Sequence, residues 1–207
     1  MISSWLRQGI LPVVNPASVD QALQIAQGLQ QGGITQIEIT LRTPAALEAL
    51  AEVAKAFPDM AVSAGSVLTP QQFEQAANAG ATLFISPGLT EALAKHALQN
   101  QLPWIPGVAT ASEVMRAMEL GFKTLKFFPA MAAGGPPALQ GLLAALQGLS
   151  IIPTGGISMD TCPAWKSVKG VIAVGGSWLS SNLPPENVTE VVQTRASQSI
   201  QVWAGLD

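Results

Sequence analysis

The chain is 207 residues long, 48% hydrophobic and only 11% charged, with a formal net charge of −3 and a pI near 5.1. That length buries a sizeable core, and the faint acidic balance leaves no electrostatic footprint for nucleic acid or an anionic membrane. No apolar run reaches the roughly 18 residues of a membrane span, and one cysteine (Cys162) with one histidine (His96) forms neither an internal disulfide nor a metal set.

The first segment, Met1-Ile2-Ser3-Ser4-Trp5-Leu6-Arg7-Gln8, lacks the charged-then-apolar order of a secretory signal. A cytoplasmic, metal-independent globular protein is expected. Short β-like runs then alternate with helical stretches, the strands being expected at 10–14, 37–41, 61–64, 83–85, 104–105, 124–127, 151–154 and 171–174. The first helical stretch has apolar spacing at Ala22, Ile25, Ala26 and Leu29. Helix starts are predicted at Thr43-Pro44, Thr69-Pro70-Gln71-Gln72 and Thr110-Ala111-Ser112-Glu113, where a hydroxyl precedes a proline or a capping-box residue. Helix ends are predicted at Gly32-Gly33, Gly80 and Gly121. His96 reads as an ordinary helix residue, and Gly134-Gly135-Pro136-Pro137 as a flexible loop before the sixth helix. From Glu186 onward a closing helix carries Val188, Val191 and Val192.

Eight strands alternating with helices imply parallel strands and right-handed crossovers. A closed barrel and an open doubly wound sheet both satisfy that pattern; the closed (βα)8 TIM barrel is preferred. No linker or composition shift divides the chain, so one domain over 1–207 is expected.

The charged residues inside apolar runs carry the chemistry. Lys126 stands in Thr124-Leu125-Lys126-Phe127-Phe128-Pro129. An ammonium at such a place loses hydration, which favours the free amine, a nucleophile for a carbonyl carbon. In Ile37-Glu38-Ile39-Thr40-Leu41-Arg42 the faces alternate, sending Glu38, Thr40 and Arg42 to the interior and the apolar set to the helices. The same parity sends Thr124 and Lys126 inward. Three charges converging in one enclosed space call for a use or for pairing; a structural Glu38–Lys126 ion pair is the plain alternative. Glu38 suits proton transfer, and Arg42 offers a planar fork for a carboxylate. Ser66 adds a hydroxyl at the end of the third strand. The set describes a site for a 2-oxo acid. Gly155-Gly156 and Gly175-Gly176, just after the last two strands, occupy the habitual phosphate position of such barrels. Ser86-Pro87-Gly88 and Pro106-Gly107 fit a pocket wall or tight turns equally well.

The runs Glu38-Ile39-Thr40-Leu41-Arg42-Thr43, Ala64-Gly65-Ser66-Val67-Leu68, Ile85-Ser86-Pro87-Gly88, Lys126-Phe127-Phe128-Pro129-Ala130, Pro153-Thr154-Gly155-Gly156-Ile157 and Gly175-Gly176-Ser177-Trp178 closely resemble those of the 2-dehydro-3-deoxy-6-phosphogluconate (KDPG) aldolases, over about residues 10–179. The resemblance implies a class I aldolase on a (βα)8 barrel, a homotrimer, cleaving that sugar acid to pyruvate and glyceraldehyde 3-phosphate in the Entner–Doudoroff pathway. Many members also act on 4-hydroxy-2-oxoglutarate. It implies Lys126 as the Schiff-base residue, so that no cofactor and no metal is needed, and Glu38 as general acid/base. Arg42, Ser66 and Lys126 would hold the pyruvyl part, with Pro87 and Thr154 beside the substrate. Gly155, Gly156, Gly176 and Ser177 would receive the phosphate. The family often has threonine in place of Ser66 and an acidic residue in place of Met131. The alternatives are the sister aldolase for the galactonate epimer, against which Leu41-Arg42-Thr43 speaks, and a non-catalytic sugar-phosphate-binding barrel.

Overall fold

The computed structural model describes Leu6 and residues 9–205. The reading of the first eight residues as lacking a signal sequence thus falls, Leu6 apart, outside the described residues. The strands are β1 (Ile10–Val14), β2 (Gln36–Thr40), β3 (Ala61–Gly65), β4 (Leu83–Ile85), β5 (Trp104–Ile105), β6 (Gly107–Val108), β7 (Thr124–Phe127), β8 (Ser150–Pro153) and β9 (Val174–Gly176). All pair in parallel, in the orders β5-β4-β3-β2-β1-β9 and β6-β7-β8. Pro106, which has no N–H to give a ladder, divides the fifth barrel strand into β5 and β6. The ring closes between β8 and β9 through the bridges Ile151↔Val171 and Thr154↔Gly175. The result is a (βα)8 barrel, as expected.

The closing seam corrects the sequence reading. The last strand was expected at 171–174, with both glycines in the loop beyond it. Val171 makes only a lone bridge, and the strand proper contains Gly175 and Gly176. Between the two bridges β8 advances three residues and its partner four. That extra residue is a bulge, which interrupts the ladder. It lets Ile172 and Ala173, consecutive in the chain, both join the interior cluster, while Val171 and Val174 pack with the helices.

The helices are α1 (Val19–Gln31), α2 (Ala46–Ala56), α3 (Pro70–Asn78), α4 (Glu91–Gln99), α5 (Ala111–Glu119), α6 (Gly135–Ala145), α7 (Cys162–Lys166) and α8 (Val188–Ala204). Thr69 and Thr110 cap α3 and α5 as expected, and Thr110 with Glu113 closes a full capping box. Thr43 does not cap. Its hydroxyl donates to the Pro16 carbonyl at 2.8 Å, and α2 starts at Ala46 without a side-chain cap. The expected loop at 134–137 is likewise shorter, because Gly135, Pro136 and Pro137 already form the first turn of α6. Gly33, Gly80 and Gly121 end helices at positive φ, as glycine permits.

Two apolar regions follow from strand alternation. Ile37, Ile39, Phe84, Trp104, Leu125, Phe127 and Ile151 pack outward with the helices. Leu11, Leu83, Ile85, Ile105 and Ile152 form a second cluster with Leu6 and Ala173. These are the alternate, inward positions of their strands, so the barrel interior is mainly apolar. Its polar groups stand out against that lining.

Candidate active site

Glu38, at the centre of β2, is fully buried, and Lys126 on β7 is 5% exposed. Inward parity on both strands brings them together across the barrel, with Lys126 Nζ donating to Glu38 Oε1 at 3.0 Å. Nζ also stands 5.5 Å from the Phe128 ring centroid, a distance at which a cation is attracted to the ring face. Glu38 Oε2 is buried with no hydrogen-bond partner among the described residues. A carboxylate oxygen left bare in an apolar enclosure costs folding free energy. Such an atom is an acceptor waiting for a hydroxyl or a water.

Arg42 is where parity misleads. β2 stops at Thr40 and the chain turns there, with Arg42 N–H bonding back to the Thr40 carbonyl at 2.8 Å. Arg42 is therefore exposed on the rim, not enclosed beside Glu38 and Lys126. Its Nε donates to Ser66 Oγ at 2.7 Å, which leaves its Nη donors unspent by that contact. Ser66 itself is buried and left-handed, with φ +56°. A non-glycine residue held there stores about 1–3 kcal/mol of strain, a feature that clusters at ligand sites. The other inward residues of β2 are used locally: Gln36 Nε2 donates to the Ile10 carbonyl, and the Thr40 hydroxyl bonds the Val14 carbonyl and Asn15 Oδ1.

The remaining candidates ring the same end of the barrel. Pro87 is half-buried in the turn after β4, and its carbonyl fills the space beside Gly107, the register partner of Lys126. Thr154 directly follows β8; its Oγ1 is buried, has no hydrogen-bond partner among the described residues, and lies where a Cβ at Gly175 would stand. Gly155 and Gly156 follow at φ +109° and +75°. That turn is tied to the loop after β7, through Ala130 N–H to the Thr154 carbonyl at 2.8 Å and Met131 N–H to the Gly155 carbonyl at 3.0 Å. Gly176 is the buried last residue of β9, and Ser177 is exposed just beyond it. The Ser177 loop is held from behind by Arg195 of α8, whose Nη1 donates to the carbonyls of Trp178 (3.1 Å) and Ser181 (2.7 Å). Nothing in the sequence marks Arg195 for this role, since the contact joins a helix face to a loop 14 residues or more away.

A barrel that sets an amine against a carboxylate near the carboxyl ends of its strands, with glycine turns beside them, is built as an aldolase-type carbon–carbon lyase. The chain belongs to the KDPG and KHG aldolase family, whose model matches residues 2–194. It is 43% identical over 170 residues to the KHG/KDPG aldolase of Escherichia coli (strain K12), covering 82% of this chain and 80% of that one. The crystal structure of the 2-keto-3-deoxy-6-phosphogluconate aldolase of Zymomonas mobilis ZM4 with 3-phosphoglycerate superposes with a TM-score of 0.89 at 37% identity, covering 96% of this chain and 94% of that one. The KDPG aldolase of Legionella pneumophila, with pyruvate captured as a covalent carbinolamine intermediate, gives a TM-score of 0.83 at 36% identity, with the same coverage of 96% and 94%.

Proposed function

We propose that this chain is a class I, metal-independent aldolase. It cleaves 2-dehydro-3-deoxy-6-phosphogluconate to pyruvate and glyceraldehyde 3-phosphate, and 4-hydroxy-2-oxoglutarate to pyruvate and glyoxylate. The observation that carries this reading is Lys126 Nζ at 3.0 Å from Glu38 Oε1 in a mainly apolar interior. The proton that blocks an ammonium from attacking has a receiver at hydrogen-bond distance. Nζ then adds to the C2 ketone, and Glu38 returns a proton so that water leaves and an iminium remains. Removal of the C4 hydroxyl proton, directly or through a water on the carboxylate, breaks the C3–C4 bond. The electron pair moves into the iminium, and the aldehyde departs. Protonation of the enamine at C3 and hydrolysis free pyruvate and the amine.

Arg42 and Ser66 take the substrate carboxylate, with Pro87 and Thr154 beside the bound sugar acid. Backbone N–H groups at Gly155, Gly156 and Gly176, with Ser177, take the phosphate. The gluconate epimer is favoured because the relatives at 36–43% identity bear that name. The chain acts as one domain over 1–207, in the cytoplasm, where the Entner–Doudoroff pathway would use it. No described helix is long and apolar enough to cross a membrane. Self-association is supported by large apolar side chains left exposed on neighbouring helices, Leu98 of α4 and Met115 and Met118 of α5, and its expected form, a homotrimer, follows the family resemblance. Sedimentation measures that directly.

The test is borohydride reduction with pyruvate, followed by peptide mass spectrometry. A pyruvate adduct on the Lys126 peptide is expected, absent in Lys126→Met and unchanged by EDTA. An adduct on Lys123 instead, or cleavage that needs an added divalent ion, would overturn the assignment.

A further inference from the structure

We infer that Gly65 is a positioning residue for the catalytic carboxylate: the hydrogen atom it carries in place of a side chain is what lets Glu38 reach Lys126. The inference rests on the imine reading above and deepens it. β2 and β3 run in parallel, with Glu38 beside Ser63 and Thr40 beside Gly65. The Glu38 side chain leans along the strand direction over the neighbouring residue two places on. A Cβ built at Gly65 would overlap Oε1 and stand 2.6 Å from Cγ and 2.8 Å from Cδ of Glu38. Carbon atoms cannot approach that closely without something moving, and here the nearest atom is the one that accepts the Lys126 proton.

Backbone conformation does not explain this glycine. Gly65 is absent from the residues with positive φ and sits in a regular parallel ladder, where any L-residue is admissible. A glycine inside a strand loses packing and entropy, and it persists where another group must come close. The approaching group is Glu38, which is fully buried and has, among the described residues, no second partner to hold its other oxygen. Space at Gly65 and the single bond to Lys126 together fix the carboxylate.

Pyruvate alone reports on that carboxylate. Its iminium on Lys126 loses a methyl proton to the Glu38 oxygen; the C–H electron pair becomes the enamine double bond, and the iminium pair returns to nitrogen. In deuterium oxide the carboxyl exchanges and returns a deuteron to carbon. The rate of methyl deuteration, followed by proton NMR, therefore measures proton transfer without the aldehyde or phosphate ends.

Four proteins are compared: wild type, Gly65→Ala, Glu38→Ala, and the double variant, with thermal unfolding recorded for each. Gly65→Ala should slow deuteration about 100-fold, the scale of a misplaced general base, while borohydride at saturating pyruvate still labels Lys126. Glu38→Ala should slow it at least as much. The double variant should match Glu38→Ala within about twofold, because residues acting through one group are not additive. It should also recover the melting temperature that Gly65→Ala loses, since no carboxylate remains to be struck. Deuteration by Gly65→Ala within about twofold of wild type would overturn the inference, as would a further tenfold loss in the double variant. Should Gly65→Ala fail to fold, a folded double variant supports the inference and an unfolded one refutes it. Normal deuteration by Glu38→Ala would instead refute Glu38 as the base, and none by wild type would remove the imine reading beneath the inference.

Discussion

Replacing Lys126 by methionine should do more than abolish chemistry; it should destabilise the fold, and by an amount the site geometry sets. Glu38 is fully buried, its Oε2 has no partner among the described residues, and its Oε1 is held by Lys126 at 3.0 Å. Deleting the amine leaves a carboxylate bare in the barrel interior, and breaking a buried pair in this way costs about 3–5 kcal/mol. For a chain of this size that is a fall of roughly 6–20 °C in melting temperature. Removing both partners has the opposite consequence. Glu38→Leu with Lys126→Met replaces two charges by apolar side chains of similar volume, which is neutral or stabilising by about 1–4 kcal/mol in comparable sites. The assay is urea and thermal unfolding followed by circular dichroism at one fixed protein concentration, so that association does not shift the result. Both variants should also lose the borohydride adduct. A Lys126→Met protein as stable as wild type, or a double variant no more stable than the single, would show that the pair is not the desolvated contact described here.

Arg42→Ala should weaken capture of pyruvate roughly 10- to 150-fold, the range of charge-assisted hydrogen bonds, with inhibition by inorganic phosphate unchanged; equal loss of both would refute that division of the site. Cys162 is buried at the start of α7. Burial, and then the charge of Asp160, push its thiol up to about 11. It should react slowly with iodoacetamide at pH 8 in the native state and quickly in urea. Its contribution to stability, complete below about 8.5, should be lost as pH rises towards about 11. Glu113 closes the capping box of α5. Burial works to raise its carboxyl, but hydrogen bonds from the Ala109 N–H and the Thr110 hydroxyl and N–H outweigh it and leave it below the ordinary carboxylate range. The cap should therefore support α5 at neutral pH and weaken as pH falls through that depressed value. Thr110→Ala should cost about 1 kcal/mol at pH 7, and Glu113→Gln should make the acid limb of the unfolding profile shallower.

The barrel and its central pair were legible because both rest on local pattern. A lysine inside an apolar strand and a glutamate at an alternate position of another are visible without coordinates, and parity alone sends them to the same interior. Parity fails where a strand stops. Arg42 was carried inward by extending β2 two residues beyond Thr40, whereas the turn there delivers it to the rim. The seam at β9 failed for a related reason: one inserted residue shifts the register, and no residue type announces a bulge. Thr43 shows competition at long range, its hydroxyl taken by a carbonyl 27 residues away where the sequence pattern suggested a helix cap. Gly65 needed the alignment of two strands before its emptiness acquired a neighbour. The strained backbone at Ser66 and the reach of Arg195 belong wholly to tertiary structure.

The interrupted ladder between β8 and β9 places a sparsely stitched joint between the Gly155-Gly156 turn and the end of β9 at Gly176, the two sides proposed to grip a phosphate. An anion clasped from both banks would act as a rivet across that gap, completing in the occupied enzyme a hoop that the polypeptide leaves loosely laced. Substrate occupancy and mechanical closure would then be one event, with saturation hardening the ring and product departure slackening it.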